Sequence, residues 1–284
     1  MQKTRAPTKT ILITGCSSGI GRCLALGLKA RGHRVFASVR QAKDVPVLAA
    51  LGLESLQLDL ADSDSIAQAL DAVFARTGGH LDVLINNGAY GQPGAVEDLS
   101  RAALRAQFET NLFGTHELTT RLLPVMRAQG HGRVIQISSV LGIVSLAYRG
   151  AYNASKHALE ALSDTLRLEL RGSGIYISLI EPGPITSRFR ENAFAAYKAH
   201  IDPSRSAHRA HYAAVERRLG GGKPLPFTLP PEAVLAKVEK ALNAARPRER
   251  YAVTFPTYLF AIAKRLLTSR ALDRFLFGVT SNQR

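Results

Sequence analysis

The chain has 284 residues, 46% of them hydrophobic, two cysteines, no tryptophan and a net charge of +15. That content can bury one good core. Cys16 and Cys23 are too few for a disulfide scaffold and have no metal-ligand spacing, so a reduced, cytoplasmic setting is expected. No run approaches the roughly 18 apolar residues of a membrane span. The short Ile11-Leu12-Ile13 after Lys3, Arg5 and Lys9 falls below the roughly 7–15 residues of a signal core and reads as a first buried strand.

A β-rich run over 10–14 leads directly into Gly15-Cys16-Ser17-Ser18-Gly19-Ile20-Gly21 and a helical pattern over 19–31. A strand, a glycine turn and a helix start form a dinucleotide-phosphate site. The glycines allow close backbone approach, and the helix N-terminus favours an anion. The spacing here is Gly-x-x-x-Gly-x-Gly, not Gly-x-Gly-x-x-Gly. The next strand, 34–39, ends in Ser38-Val39-Arg40. An NAD-selective site would place a carboxylate there; Arg40 suits the 2′-phosphate of NADP instead, and Ser17 could add a hydroxyl contact.

Further strands read at 55–58, 82–85, 133–138 and 175–180, with a seventh at 250–254 and helices at 62–77, 100–128 and 152–172. The intervals fit right-handed crossovers in a parallel sheet. Val83-Leu84-Ile85 and Val134-Ile135-Gln136-Ile137 read as strands covered on both faces. The expected fold is therefore α/β, one Rossmann-type doubly wound domain over 1–284. Ligands of such sheets sit beyond the strand C-termini, and Gly15, Asp59, Asn86, Ser139 and Pro182 each follow a strand.

Tyr152 and Lys156 share one face of the 152–172 helix at i and i+4. An ammonium beside a phenol is expected to pull the tyrosine below its usual pKa of about 10. Asn111 lies inside the 100–128 pattern, where asparagine has low helix propensity and can disturb the ladder locally. Asp82, Glu181 and the eight histidines show no HxxxH or comparable spacing, so they read as structural or surface groups and no metal is expected.

After Thr186 the character changes. Residues 187–226 have weak periodicity, a Gly220-Gly221-Gly222-Lys223-Pro224 run, and Phe189, Phe194, Tyr197 and Tyr212 to form an apolar inner face. They are expected to be a substrate lid, the alternative being a surface excursion with short helices. The tail, 256–284, is basic and amphipathic; packing on the body or a partner subunit is expected, with an anionic membrane surface as the alternative. Residues 187–284 hold 18 Lys/Arg against 7 Asp/Glu, so the positive excess belongs to this last third. No aromatic-basic stripe, zinc motif or helix-turn-helix accompanies it, which argues against nucleic acid.

Over about residues 9–186 these motifs, in this order, resemble the classical short-chain dehydrogenase/reductase family. Thr14–Gly21 looks like its cofactor turn, so Gly15, Ser17, Ser18, Gly19, Ile20 and Gly21 are expected at the cofactor. Asp59-Leu60 looks like its adenine-contacting pair. Asn86-Asn87-Gly88-Ala89 resembles its Asn-Asn-Ala-Gly motif with the last two residues exchanged, so Asn87 and Gly88 are expected beside the cofactor ribose. Asn111, Ser139, Tyr152 and Lys156 fall where its catalytic tetrad lies, and Tyr152 and Lys156 would also touch the cofactor. Pro182, Gly183, Ile185 and Thr186 fall in its nicotinamide-side motif. The turn, the Ile180–Pro184 run and the basic tail look most like the branch of NADP-dependent aldehyde, retinoid and 17β-hydroxysteroid reductases.

The resemblance implies an NADP(H)-dependent oxidoreductase acting on an apolar aldehyde or ketone, with steroid, retinoid and fatty aldehyde all open. In it Tyr152 is the acid, Lys156 its electrostatic partner and ribose ligand, Ser139 a second hydrogen-bond donor to the carbonyl oxygen, and Asn111 the holder of a water leading to Lys156. It also implies a homodimer or homotetramer built on helices 100–128 and 152–172, with Ala103, Leu104, Phe108, Leu112 and Leu118 as apolar surface. Two rival readings are a cofactor-binding regulator without turnover, against which the retained Tyr152 and Lys156 argue, and a membrane-peripheral protein whose tail matters most.

Overall fold

Side chains alternate between the two faces of a strand, and when helices cover both faces every position becomes apolar. In the computed structural model, which describes residues 8–221 and 225–281, this is the state of Ile11–Ile13 and Val83–Ile85, while Gln136 and Ser178 are buried polar exceptions in neighbouring strands. β1 (Thr10–Ile13), β2 (Arg34–Val39), β3 (Glu54–Gln57), β4 (Val83–Asn86), β5 (Gly132–Ile137), β6 (Ile175–Glu181) and β7 (Arg250–Ala252) form one sheet in the order β3-β2-β1-β4-β5-β6-β7. Every pairing is parallel. The helices α1 (Gly19–Ala30), α2 (Val45–Ala50), α3 (Ser63–Thr77), α4 (Arg101–Phe108), α5 (Gly114–Gln129) and α6 (Gly150–Glu169) alternate with the first six strands. Then come α7 (Phe189–His200), α8 (Arg209–Leu219), α9 (Glu232–Asn243), α10 (Phe255–Leu266) and α11 (Ser269–Ser281).

Ile11, Ile13, Val83 and Ile85 pack on one face against Leu24 and Leu28 of α1 and Val234 and Val238 of α9. Leu12, Phe36, Leu84 and Val134 pack on the other against Ile66 and Leu70 of α3 and Leu118 and Leu122 of α5. Full burial of such a side chain contributes about 1.5–3 kcal/mol. A one-residue slip would exchange the two sets, so register is strongly specified. The chain runs outward from β1 to β2 and β3, then crosses back to β4. The reversal opens a crevice at the C-terminal ends of β1 and β4, the usual place for a ligand in this architecture.

All seven expected strands are present, with β7 shorter than expected. The 100–128 pattern is not one helix: Glu109–Phe113 winds as a wider π-type turn between α4 and α5, around Asn111. The sequence reading assigns nothing to α9, although Val234, Leu235, Val238, Ala241 and Leu242 recur at helical spacing on its buried face. The apolar surface expected for subunit contact needs correction. Ala103 and Leu118 are wholly enclosed and Leu112 nearly so, because the helices turn those residues inward; the exposed apolar residues on α4, the π-type turn and α6 are Leu104, Phe113, Leu162 and Leu168.

Residues 187–221 form the helices α7 and α8, with one 3₁₀ turn at Pro203–Arg205 between them. α7 and α8 build a small core of their own from Ala193, Tyr197, Ile201, Tyr212, Val215 and Leu219 with Ala95. The tail forms α10 and α11, which place Phe260 and Leu276 on Val140, Leu141, Val144 and Leu146. No helix of the described residues is long and apolar enough to cross a membrane. Lys3 and Arg5, the Gly222-Lys223-Pro224 part of the glycine run and the last three residues of the tail lie outside the described residues.

Candidate active site

The glycine turn after β1 closes tightly. Gly15 has a φ of 71°, and a Cβ on Gly21 would lie 2.2 Å from the Gly15 carbonyl oxygen. Both positions therefore require glycine. The Thr14 hydroxyl accepts from the Asn87 and Gly88 N–H groups at 2.9 and 2.8 Å. Asn87 Nδ2 donates back to the Thr14 and Gly15 carbonyls at 2.9 and 3.1 Å. These bonds lock the β1 and β4 turns together, and the Gly88-Ala89 order does not disturb them. α1 has no acidic residue in its first turn, and the Ser18 hydroxyl does not cap it. Such a helix N-terminus suits an anion. Arg22, which the sequence reading passed over, stiffens the turn by donating from Nη2 to the Ser17 carbonyl.

Arg40 lies exposed just beyond β2, and its own carbonyl accepts from Gln57 Nε2 at 3.2 Å. The Ser38 carbonyl accepts from the Cys16 N–H at 2.8 Å. Burial pushes the Cys16 thiol up to about 12, so it is an inert packing group. Beyond β3, Asp59 Oδ1 accepts from the Ala61 N–H at 3.0 Å. Leu60 is buried there against Gly88 and Gly114.

Asn111 is 1% exposed, and both ends of its amide are engaged. Oδ1 accepts from the Tyr90 N–H at 3.2 Å; Nδ2 donates to the Tyr90 carbonyl at 2.9 Å and to Ser155 Oγ at 3.2 Å. It thus ties the loop after β4 to α6, one residue from Lys156. Lys156 is buried, and its Nζ donates to the Ile137 carbonyl at 2.8 Å. Burial brings this ammonium down to about 8, against a smaller opposing pull from Glu160. Ser139 follows β5, and its hydroxyl accepts from the Leu141 N–H at 3.1 Å.

Tyr152 behaves differently from expectation. Desolvation pushes its phenol up to about 12, partly offset by hydrogen bonding with Ser139 and by the Arg149 charge. Lys156 lies on the same helix face, but its Nζ is 5.8 Å from the Tyr152 ring centroid. In this state of the protein burial outweighs the lowering expected from the lysine. Arg149, also missed by the sequence reading, is half-buried beside Tyr152 with Arg190 and Arg218 nearby, and desolvation brings it down to about 9.

The motif after β6 is fastened on two sides. The Pro182 carbonyl accepts from the Val140 N–H at 2.8 Å, beside Ser139. Ile185 pairs in parallel with Leu229, the Thr186 N–H donating to the Leu229 carbonyl at 3.0 Å and the Leu229 N–H to the Pro184 carbonyl at 3.1 Å. A Cβ added to Gly19 would lie 2.8 Å from that of Ser187, so this segment comes back onto the glycine turn. Phe189, at the start of α7, packs edge-on to Tyr152 with centroids 5.3 Å apart. Of the aromatic residues expected to face substrate, Phe189 alone reaches Tyr152 among the described contacts. Tyr197 and Tyr212 are buried in the α7–α8 core, where Tyr197 donates to Glu216 at 3.0 Å and Tyr212 to Asp98 at 2.5 Å.

Asp82 lies at the N-terminal end of β4, the far end of the strand from Asn86, where His80 and His131 Nε2 each approach its Oδ1 at 3.0 Å. Glu181 points away from the glycine turn toward Arg250, 3.1 Å from its Nε. Burial first, then the Glu160 charge, raises the Glu181 carboxyl to about 7.

One crevice thus gathers the glycine turn, Asn87, Ser139, Tyr152, Lys156 and the Pro182–Thr186 motif. The chain is 43% identical over 270 residues to the uncharacterized oxidoreductase YbbO of Escherichia coli, covering 95% of this chain and 94% of that protein. It is 32% identical over 274 residues to an NADPH-dependent 3-dehydrocapnine reductase of Ornithobacterium rhinotracheale, covering 94% and 95%. It is 35% identical over 263 residues to human 17-beta-hydroxysteroid dehydrogenase type 1, covering 86% and 77%. Residues 9–198 match the short chain dehydrogenase family, and the chain belongs to that family of oxidoreductases.

Proposed function

We propose that this protein uses NADPH to reduce an apolar aldehyde or ketone to the alcohol, with Tyr152 as the proton donor. The observation that carries the reading is the convergence of Ser139, Tyr152 and Lys156 beside the glycine turn. The full-length relative that is an NADPH-dependent reductase supports it. The residues present fit a dinucleotide phosphate: a turn that admits glycine alone at two positions, a helix start free of acidic side chains, and Arg40 where a carboxylate would otherwise select NAD.

In this reading Gly15–Gly21 hold the pyrophosphate, Arg40 and Ser17 the 2′-phosphate, Asp59 and Leu60 the adenine, and Asn87 and Gly88 the ribose. Pro182, Gly183, Ile185 and Thr186 line the nicotinamide side. Bound NADPH would supply the hydride. Ser139 Oγ donates to the carbonyl oxygen, and Tyr152 protonates that oxygen as it becomes the alcohol. The phenol, still protonated well above neutral pH, is in the right form for this direction. The Lys156 ammonium, held inside by Ile137, supports the phenolate that results and reaches the ribose hydroxyls. Asn111 positions α6 and carries a water toward Lys156. Phe189, edge-on to Tyr152, favours an apolar substrate.

The protein is a single domain whose α7–α8 segment is the substrate lid. It works as a homodimer or homotetramer joined through Leu104, Phe113, Leu162 and Leu168. The free Cys16 and Cys23 support a cytoplasmic setting. The test is loss of NADPH absorbance with a panel of steroid, retinoid and fatty carbonyl compounds. Turnover with an apolar member is expected. NADPH binding without turnover across the panel would favour a cofactor-binding regulator instead.

A further inference from the structure

We propose that the face formed by α10, the turn carrying Phe227 and the adjoining cationic groove docks the protein on an anionic lipid bilayer beside the mouth of its active site. Three observations converge on it.

The first is an outward apolar stripe. Phe255, Leu259, Ile262 and Leu266 fall at i, i+4, i+7 and i+11 of α10, one helix face. They are 58%, 39%, 56% and 78% exposed, while Thr257 and Phe260 hold the opposite face to the body. Phe227, 60% exposed, extends the stripe by packing on Phe255 with centroids 5.1 Å apart. Its φ of 61° is uncommon for a bulky residue, and Thr228 pins the turn by donating from N and Oγ1 to the Leu225 carbonyl. A backbone held this way to point an aromatic ring at solvent calls for a partner.

The second observation is charge. A groove of about 870 Å³ runs along α10, lined by Lys237, Lys240, Arg246, Arg248, Lys264 and Arg265. Its one acidic lining residue, Glu181, is 3.1 Å from Arg250, which also pairs with Glu160 and Asp164. The six other cations set the sign of the groove, and they are six of the eighteen Lys/Arg of residues 187–284. A second copy meeting this face across a two-fold axis would set like charges against each other. Nucleic acid would satisfy the cations and leave the apolar stripe in water. A bilayer with anionic headgroups satisfies both: acyl chains take the stripe and headgroups the cations. With 12 residues, α10 can lie in the interface but not span it.

The third observation is position. Residues 225–229 both carry Phe227 and, through Leu229, clamp Pro184 and Thr186 at the crevice. A docked bilayer would lie next to the opening through which an apolar substrate enters. The docking itself does not depend on the reduction proposed above, and its test needs no turnover.

The test is co-sedimentation of the full chain with phosphatidylglycerol-rich vesicles and with pure phosphatidylcholine vesicles. Binding to the former is expected, weakening as salt screens the charges. Each lost cation should cost about fivefold in partitioning, so Lys240→Gln with Arg265→Gln should bind roughly 25-fold more weakly. Ile262→Ser with Leu266→Ser, both exposed and safe for folding, should also lose binding while melting and NADPH binding stay as in the parent. Failure to sediment with anionic vesicles, or equal binding to neutral ones, would overturn the proposal. So would a drop in oligomeric state in the Ile262/Leu266 variant, which would assign the face to a second copy, or tight binding of duplex DNA unaffected by that variant.

Discussion

The free-enzyme pH profile should break where Lys156 loses its proton, and Tyr152→Phe should remove the reaction. A phenol held at about 12 is ionised in about one molecule in 10⁵ at pH 7, and an ammonium at about 8 is about nine-tenths protonated there. Reduction needs the neutral phenol and the charged lysine, so kcat/KM should be flat through neutral pH and fall about tenfold per unit above about pH 8. Oxidation of the alcohol starts from the rare phenolate with the charged lysine. Its kcat/KM should rise about tenfold per unit up to about pH 8 and then level. Tyr152→Phe keeps the ring against Phe189 and removes only the hydroxyl. It should lower turnover about 10²–10⁴-fold while leaving NADPH binding intact. The assay is initial rate by NADPH absorbance, with binding followed separately by fluorescence. A variant within tenfold of the parent, or reduction with no break between about pH 7 and 9, would remove Tyr152 or Lys156 from the proposed roles.

Arg40→Ala, or Val39→Asp, should cost NADPH about ten- to a hundredfold in affinity and shift preference to NADH; an unchanged ratio of the two efficiencies would reject Arg40 as the selector. Glu181 titrates at about 7 when folded against an ordinary 4.5. A raised carboxyl contributes stability below about pH 4.5 that is lost as pH rises through about 7, a difference of about 3 kcal/mol. Glu181→Gln should flatten that stretch of a denaturation-against-pH curve, and an unaltered slope would place the proton elsewhere. Hydrogen exchange in α7–α8 should slow when NADPH and substrate are both bound, whereas equal protection would make the pair a fixed surface element. Light scattering at micromolar concentration should give a dimer or tetramer that Leu162→Glu with Leu168→Glu weakens; a monomeric parent would end that reading.

The sheet was legible because doubly covered strands carry few polar residues to confuse the run, as in Val83–Ile85. The site was legible because its residues follow strand ends, and because Tyr152 and Lys156 are linked by simple helix geometry. What escaped depends on distance in sequence. The engagement of Asn111 with Tyr90 and Ser155 joins three segments, and only folding shows that both ends of its amide have partners. Ala103 and Leu118 have the spacing of a contact face, yet that face meets this chain's own core. In α7 and α8 the periodicity is weak because Tyr197 buries its ring while spending its hydroxyl on Glu216 of α8, so apolar and acidic positions mix on the inner side; Tyr212 reaches outside the segment to Asp98. The pKa of Tyr152 was misread for the same reason: spacing reveals the lysine and not the desolvation.

These long-range ties would have a common effect on the proposed reaction. The Val140–Pro182 bond sets Ser139 beside the nicotinamide-side motif, and the Ile185–Leu229 bridge joins that motif to the chain leading into α9. Phe189 then reaches back from α7 to Tyr152. Tyr152 therefore sits under a cover anchored on both sides, and in the proposed reaction the same cover that desolvates its phenol would exclude water from the hydride path. A protein built this way favours the protonated phenol before substrate arrives. If Tyr152 is the proton donor proposed above, reduction is the direction for which the ligand-free state is prepared, and oxidation must wait for the rare phenolate.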